Sequence, residues 1–196
     1  SELHSPRNEL LSVGWHKRPV LGEVRCGDLA MDRHSKNLVW IMVVDGLGHG
    51  PLASEAAKAA AAVLKGADPT LKPSAMLRLI HEHLQGTRGA AVSLMRVDTL
   101  RQRVVCAGIG NVQMAHVVIN NVQCIHIPCV DGIVGQLWRT PRETELTLSP
   151  RDLLLLTSDG LPASIDLSDL PLWRHANCGE LARTAVINLG KSHDDA

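Results

Sequence analysis

Leu38-Val39-Trp40-Ile41-Met42-Val43-Val44, followed at once by Asp45-Gly46-Leu47-Gly48-His49-Gly50, is the stretch that decides how this chain is read. Seven consecutive apolar residues, three of them valine and one isoleucine, are too few for a helix of ordinary length and right for a strand buried on both faces. The glycine-rich hexapeptide ends that strand abruptly. Ala53 to Leu64, alanine-rich and without a breaker, then predicts a helix stopped by Gly66.

Outward from this unit, Pro73-Ser74 opens a second predicted helix through Leu84, with Leu77, Ile80 and Leu84 on one face. Upstream, Leu10 to Trp15 alternates weakly and predicts a strand, and Pro19 to Glu23 a turn. Downstream, strands are predicted over Ala90–Val97, Arg103–Ala107, Val112–Ile119, Val122–Ile127, Glu143–Leu148 and Asp152–Thr157, with Asn120-Asn121 as a hairpin turn. Gly179 to Leu189 predicts a last helix. Consecutive strands imply mostly antiparallel sheets with helices outside, an α+β arrangement and not a doubly wound one.

At 196 residues the chain is expected to be a single domain, residues 1–196, without repeats or linkers. Twenty Lys and Arg balance twenty Asp and Glu. That balance excludes a nucleic-acid binder working by phosphate neutralisation and a polybasic membrane anchor. No apolar run approaches the ~18 residues of a membrane span, and the polar first ten residues show no secretory signal. Cys26, Cys106, Cys124, Cys129 and Cys178 are odd in number and unpaired in spacing, as reduced thiols of a cytoplasmic protein would be. Phe and Tyr are absent, so base stacking has few partners.

Two chemistries compete for the glycine loop. A dinucleotide fingerprint needs G-x-G-x-x-G; here glycines fall at 46, 48 and 50, Pro51 stands where the third should be, and Asp45 would repel a pyrophosphate. The alternative makes Asp45 a ligand for a hard cation, with the Gly46 carbonyl able to reach the same ion. Further carboxylates must then converge. Asp28 follows Gly27; Asp159 follows an apolar run and precedes Gly160, repeating the strand-Asp-Gly pattern; Asp194-Asp195 closes the sequence. An all-oxygen set suits Mg²⁺ or Mn²⁺. Two such ions ~3.5–4 Å apart hydrolyse phosphate esters by activating water, with no protein nucleophile.

Gly27-Asp28, Val43 to Gly50 (VVDGLGHG), Thr87 to Ala91 (TRGAA), Ala107 to Asn111 (AGIGN), Ser158 to Gly160 (SDG) and Asp194 to Ala196 (DDA) together resemble the SpoIIE/RsbX branch of the metal-dependent, type 2C-like Ser/Thr protein phosphatases, in order and spacing from about Leu11 to Ala196. The small size is most similar to the stand-alone stressosome type. The resemblance implies an α-β-β-α sandwich of two antiparallel sheets. It implies Asp45 bridging two Mn²⁺ or Mg²⁺ ions, Gly46 offering its carbonyl, Asp159 and Asp194 completing one shell, and Asp28 holding a metal-bound water or a further ion. It favours Asp194 over Asp195. Phosphoserine or phosphothreonine of STAS-domain proteins in a stressosome-like complex would be the substrate. In that family the chain continues beyond the Asp-Asp pair into a closing strand; this sequence ends at Ala196, and an open sheet edge is the expectation. The rival readings are a non-catalytic module that docks on a phosphoprotein assembly and a nucleotide-binding regulator.

Other residues are set aside. His81 and His83, two apart on a helix, face different ways. His49 sits in the loop, where a small residue would also serve. Arg88 has the fork to meet a phosphate, though a turn-bracing arginine is expected. Gly110-Asn111 receives no role. Cys26 is a soft thiol, expected in the core. Trp15, Trp40, Trp138 and Trp173 are expected to pack.

Overall fold

A computed structural model describes residues 11–20, 25–120, 122–162, 165 and 177–196. Eight strands and three helices are present among them: β1 Asp28–Ser35, β2 Leu38–Gly46, α1 Pro51–Gly66, α2 Pro73–His83, β3 Ala90–Asp98, β4 Arg103–Ile109, β5 Gln113–Val118, β6 Gln123–Ile127, β7 Thr144–Thr147, β8 Leu153–Thr157 and α3 Cys178–Leu189. Every pairing is antiparallel. One sheet runs β1-β2-β3-β4-β7 and the other β6-β5-β8. The fold is the α-β-β-α sandwich expected from the sequence.

The strand period of two divides β2 and β3 between two cores. Trp40, Met42 and Val44 of β2, with Val92 and Leu94 of β3, meet α1 and α2. Val39, Met95 and Val97 face the second sheet and pack with Met114, Leu154 and Leu156. Helix α1 presents Ala53, Ala56, Ala57, Ala60 and Ala61 as its buried face, which lets it lie close on the sheet. Pro51 sits in its first turn, where a missing N–H costs nothing, so the helix starts two residues earlier than the alanine run suggests. Leu181, Ala185 and Val186 of α3 pack with Leu153 of β8.

Two expectations need correction. Leu11 to Trp15 forms no strand ladder. Gly14 lies so close to Cys178 and Gly179 that no Cβ would fit, and the Cys178 thiol donates to the Ser12 carbonyl at 3.3 Å; the segment packs on the start of α3 instead of entering a sheet. Trp15 is 49% exposed, so it does not pack as a core residue. β5 and β6 form the expected hairpin, with Val122 N donating to the Ile119 carbonyl at 3.3 Å and Val122 at φ 52°; Asn121 lies outside the described residues. Leu10, part of the Pro19–Glu23 turn, and Trp173 also lie outside them.

Trp40 is fully buried and donates from Nε1 to the Pro69 carbonyl at 3.0 Å. His81 is buried, accepts from Gly135 N at 2.8 Å and lies 5.0 Å from the Trp138 ring, whereas His83 is exposed, as their spacing requires. All five cysteines are free. Among the described residues no helix is long and apolar enough to cross a membrane.

Candidate metal centre

The β1–β2 register sets Asp28 directly opposite Asp45, so both carboxylates stand at one end of the first sheet. A further backbone bond, Gly46 N to the Gly27 carbonyl at 3.2 Å, closes that end. Asp159 arrives from the second sheet, two residues past β8. Asp194 arrives from the segment after α3. A cavity of about 220 Å³ is lined by Asp45, Asp159 and Asp194 together with Gly48, His49, Asn111 and His193.

Both Asp-Gly pairs carry glycine because another segment of the polypeptide crosses close against each. The start of α1, at the Ala53 carbonyl, lies where a side chain on residue 46 would stand, and the Asp195 carbonyl lies where one on residue 160 would stand. Neither position has room for a Cβ. The glycines thus bring α1 and the last residues of the sequence against the two aspartates.

The adjacent acids Asp194 and Asp195 have different tasks. Asp195 is 3% exposed, and its two oxygens accept from Val20 N at 2.7 Å and Gly27 N at 2.6 Å. Arg18 and Ala196 exchange a pair of backbone bonds beside it, and Arg18 Nη2 donates to the Lys191 carbonyl at 2.6 Å. Asp195 is therefore spent on backbone, and Asp194 is left facing the cavity. Three more residues support the cluster without having been assigned a role from the sequence. Ser158 Oγ donates to Asp28, Asn111 Nδ2 donates to Asp159, and Lys191 Nζ donates to the Asp159 carbonyl at 2.6 Å. The Gly-Asn turn and the serine of the Ser-Asp-Gly motif were visible as patterns, but their partners lie 48 and 130 residues away.

Burial is the main force on Asp28 and pushes its carboxyl up to about 7; the Ser158 hydrogen bond opposes this, and the charges of Asp195, Asp159 and Asp194 add to it. Asp45 is raised by burial first and then by the charges of Asp28 and Asp159. Asp194 is raised by burial and by Asp159. No Lys or Arg side chain forms an ion pair with any of these four aspartates among the described residues. A cation would offset the cost of gathering these carboxylates out of water, and an oxygen-only donor set fits Mg²⁺ or Mn²⁺. Among the described residues no three His, Cys, Asp or Glu side chains surround a common point for an ion. The fit therefore lies in donor chemistry and in convergence of the four elements. Cys26, two residues from Asp28, is buried, donates to the Arg18 carbonyl at 3.5 Å and has its thiol pushed up to about 11 by burial and by Asp28, so it stays protonated at neutral pH.

The family profile for "Stage II sporulation protein E (SpoIIE)" matches residues 35–185. No curated protein matches the sequence. Among solved structures, a chain described under "The bacterial stressosome: a modular system that has been adapted to control secondary messenger signaling" is 30% identical, with a TM-score of 0.86 over 94% of this chain and 95% of that one. RsbX in complex with magnesium is 17% identical, with a TM-score of 0.78 over 92% and 88%. The catalytic domain of the serine/threonine protein phosphatase PstP, in complex with two manganese ions, is 16% identical, with a TM-score of 0.67 over 92% of each chain. With its strand-Asp-Gly pairs, its two-sheet sandwich and this match over most of its length, the chain belongs to the SpoIIE family of PP2C-type Ser/Thr protein phosphatases.

Proposed function

We propose that this protein removes phosphate from phosphoserine or phosphothreonine of STAS-domain proteins in a stressosome-like complex, at a dinuclear Mg²⁺ or Mn²⁺ site. The observation that carries the reading is the convergence of Asp45, Asp159 and Asp194 on one cavity, with buried Asp28 opposite Asp45 in the β1–β2 register. The choice of substrate rests on the 30% identity to the stressosome chain.

Asp45, the Gly46 carbonyl, Asp159 and Asp194 would hold the ions. When bound, the ions make water nucleophilic at neutral pH and neutralise the phosphoryl oxygens. Asp28, oriented by Ser158, would orient a water by accepting its hydrogen bond, or would join in holding a further ion. Asn111 fixes the side chain of Asp159, and Lys191 holds its backbone, so that the carboxylate keeps one orientation. Asp195, through Gly27 N, sets the position of Asp28 from behind.

Hydrolysis of a small aryl phosphate with Mn²⁺, with Mg²⁺ and with chelator tests the chemistry, and release of phosphate from a phosphorylated STAS-domain protein tests the substrate. Asp45→Asn is expected to abolish both while leaving the fold intact. A fully active Asp45→Asn protein would sink the reading.

A further inference from the structure

The turn Thr87-Arg88-Gly89, between α2 and β3, is fixed by its own backbone and by its neighbours. Thr87 Oγ1 donates to the Leu84 carbonyl at 2.7 Å and accepts from Gly89 N at 3.0 Å. Gln136 Nε2 donates to the Arg88 carbonyl at 2.7 Å. Leu47 N donates to the Gly89 carbonyl at 3.0 Å, which ties the turn to the loop that follows Asp45. Bracing is thus complete without the Arg88 side chain.

That side chain reaches Gly48. A Cβ on residue 48 would meet Arg88 Nη1 at 2.8 Å, and Gly48, at φ +84°, lines the cavity with Asp45, Asp159 and Asp194. Among the described residues the Arg88 guanidinium makes no hydrogen bond or ion pair. Arg33 and Arg96, by contrast, spend theirs on the carbonyls of Leu64 and Ala67 and of Thr70 and Leu71. An exposed, uncommitted fork therefore stands on a fixed backbone at the rim of an acidic cavity. A phosphomonoester dianion approaching that cavity meets carboxylate repulsion, and a guanidinium is the side chain whose geometry matches two phosphate oxygens at once.

We infer that Arg88 determines specificity for the phosphoryl group by engaging its non-bridging oxygens at the cavity rim. This rests on the phosphatase reading above. It replaces the turn-bracing role expected from the sequence.

The experiment compares wild type, Arg88→Ala and Arg88→Lys, each loaded with Mn²⁺. It reads kcat and KM for a small aryl phosphate, inhibition by inorganic phosphate, the Mn²⁺ concentration for half activation, and Tm. Arg88→Ala is expected to raise KM and the phosphate inhibition constant about tenfold, as for loss of one charge-assisted contact, with kcat changed less than about threefold. Arg88→Lys keeps the charge without the fork and is expected to fall between. Mn²⁺ requirement and Tm are expected to stay at wild-type values. Unchanged KM and inhibition constant overturn the inference, as does a loss explained by a shifted Mn²⁺ requirement or a lowered Tm. If wild type hydrolyses nothing with either metal, the phosphatase reading fails by itself. Calorimetric titration of inorganic phosphate into the Mn²⁺-loaded proteins then decides for Arg88: weaker binding in Arg88→Ala supports the inference, and equal or absent binding in both overturns it.

Discussion

Asp195 Oδ2 accepts a hydrogen bond from Gly27 N at 2.6 Å, joining the segment after α3 to the residue just before Asp28. Two residues 168 positions apart in sequence thereby share one buried carboxylate, and the end of β1 is held by it.

Asp194→Asn and Asp195→Asn are therefore expected to fail differently. Asp195→Asn weakens two charge-assisted bonds in a buried place and should cost about 1–3 kcal/mol, lowering Tm. Asp194→Asn should leave Tm near the wild-type value and weaken Mn²⁺ binding and phosphate release. Thermal melts with and without Mn²⁺ check both. Equal melting of the two variants would contradict the division of labour.

Gly160→Ala places a methyl group where the Asp195 carbonyl lies. The segment carrying Asp194 has to shift, so soluble protein with lowered Tm and lost Mn²⁺ response is expected. Gly66→Ala is the control: a Cβ there meets nothing within 4 Å and the residue has no positive φ, so Tm should hold or rise. Circular-dichroism melts of the pair read the contrast.

Ser158→Ala removes the donor to Asp28 Oδ2 inside the protein. That hydrogen bond lowers the Asp28 carboxyl against the larger upward push of burial, so its loss raises the group further. The acidic limb of the pH–rate profile should then move to higher pH, with the alkaline limb unmoved. A profile superimposable on wild type would separate Ser158 from the function of Asp28.

Asp152 gives a pH dependence of stability remote from the cavity. Burial pushes its carboxyl up, but hydrogen bonds from Ser149 N at 3.0 Å, from His116 Nε2 at 2.9 Å and from Ile119 N at 3.1 Å outweigh it and leave the group below its usual value. A carboxyl depressed in the folded state contributes stability that is present above its unfolded pKa, roughly 4, and is lost as pH falls through the folded value. Asp152→Ala should cost about 2–3 kcal/mol near neutrality. The part of that gap due to ionisation should close below about pH 4. Urea unfolding at a series of pH values measures it.

The antiparallel α+β arrangement was legible because strands follow one another in sequence, with β2 an apolar run ending in Asp-Gly and β8 an apolar run leading to Asp159-Gly160. The two-sheet sandwich itself came from the resemblance carried by those motifs. Leu11 to Trp15 misled because its alternation puts Leu11 and Val13 on the core between the sheets and Ser12 and Gly14 against the start of α3, without a ladder. The split between Asp194 and Asp195 was not readable from two adjacent acids. It depends on where Val20 N and Gly27 N point, which is settled only when the chain has folded. The same holds for Asn111 and Ser158, whose pattern was visible and whose partners were not. Arg88 was noticed for its chemistry, but its nearness to Gly48 comes from the pairing of Ala90 with Gly46 at the start of β3.

The alanine face of α1 has a consequence for motion. Ala53, Ala56, Ala57, Ala60 and Ala61 carry no side-chain rotamers, so most of the buried face of α1, apart from Ser54 and Leu64, docks without side-chain entropy of its own to lose. The helix that follows the Asp45 loop therefore has few rotamer changes of its own with which to accommodate a shift. Any rearrangement of the loop on ligand binding has to carry backbone with it, and belongs to the microsecond-to-millisecond range that relaxation dispersion reads.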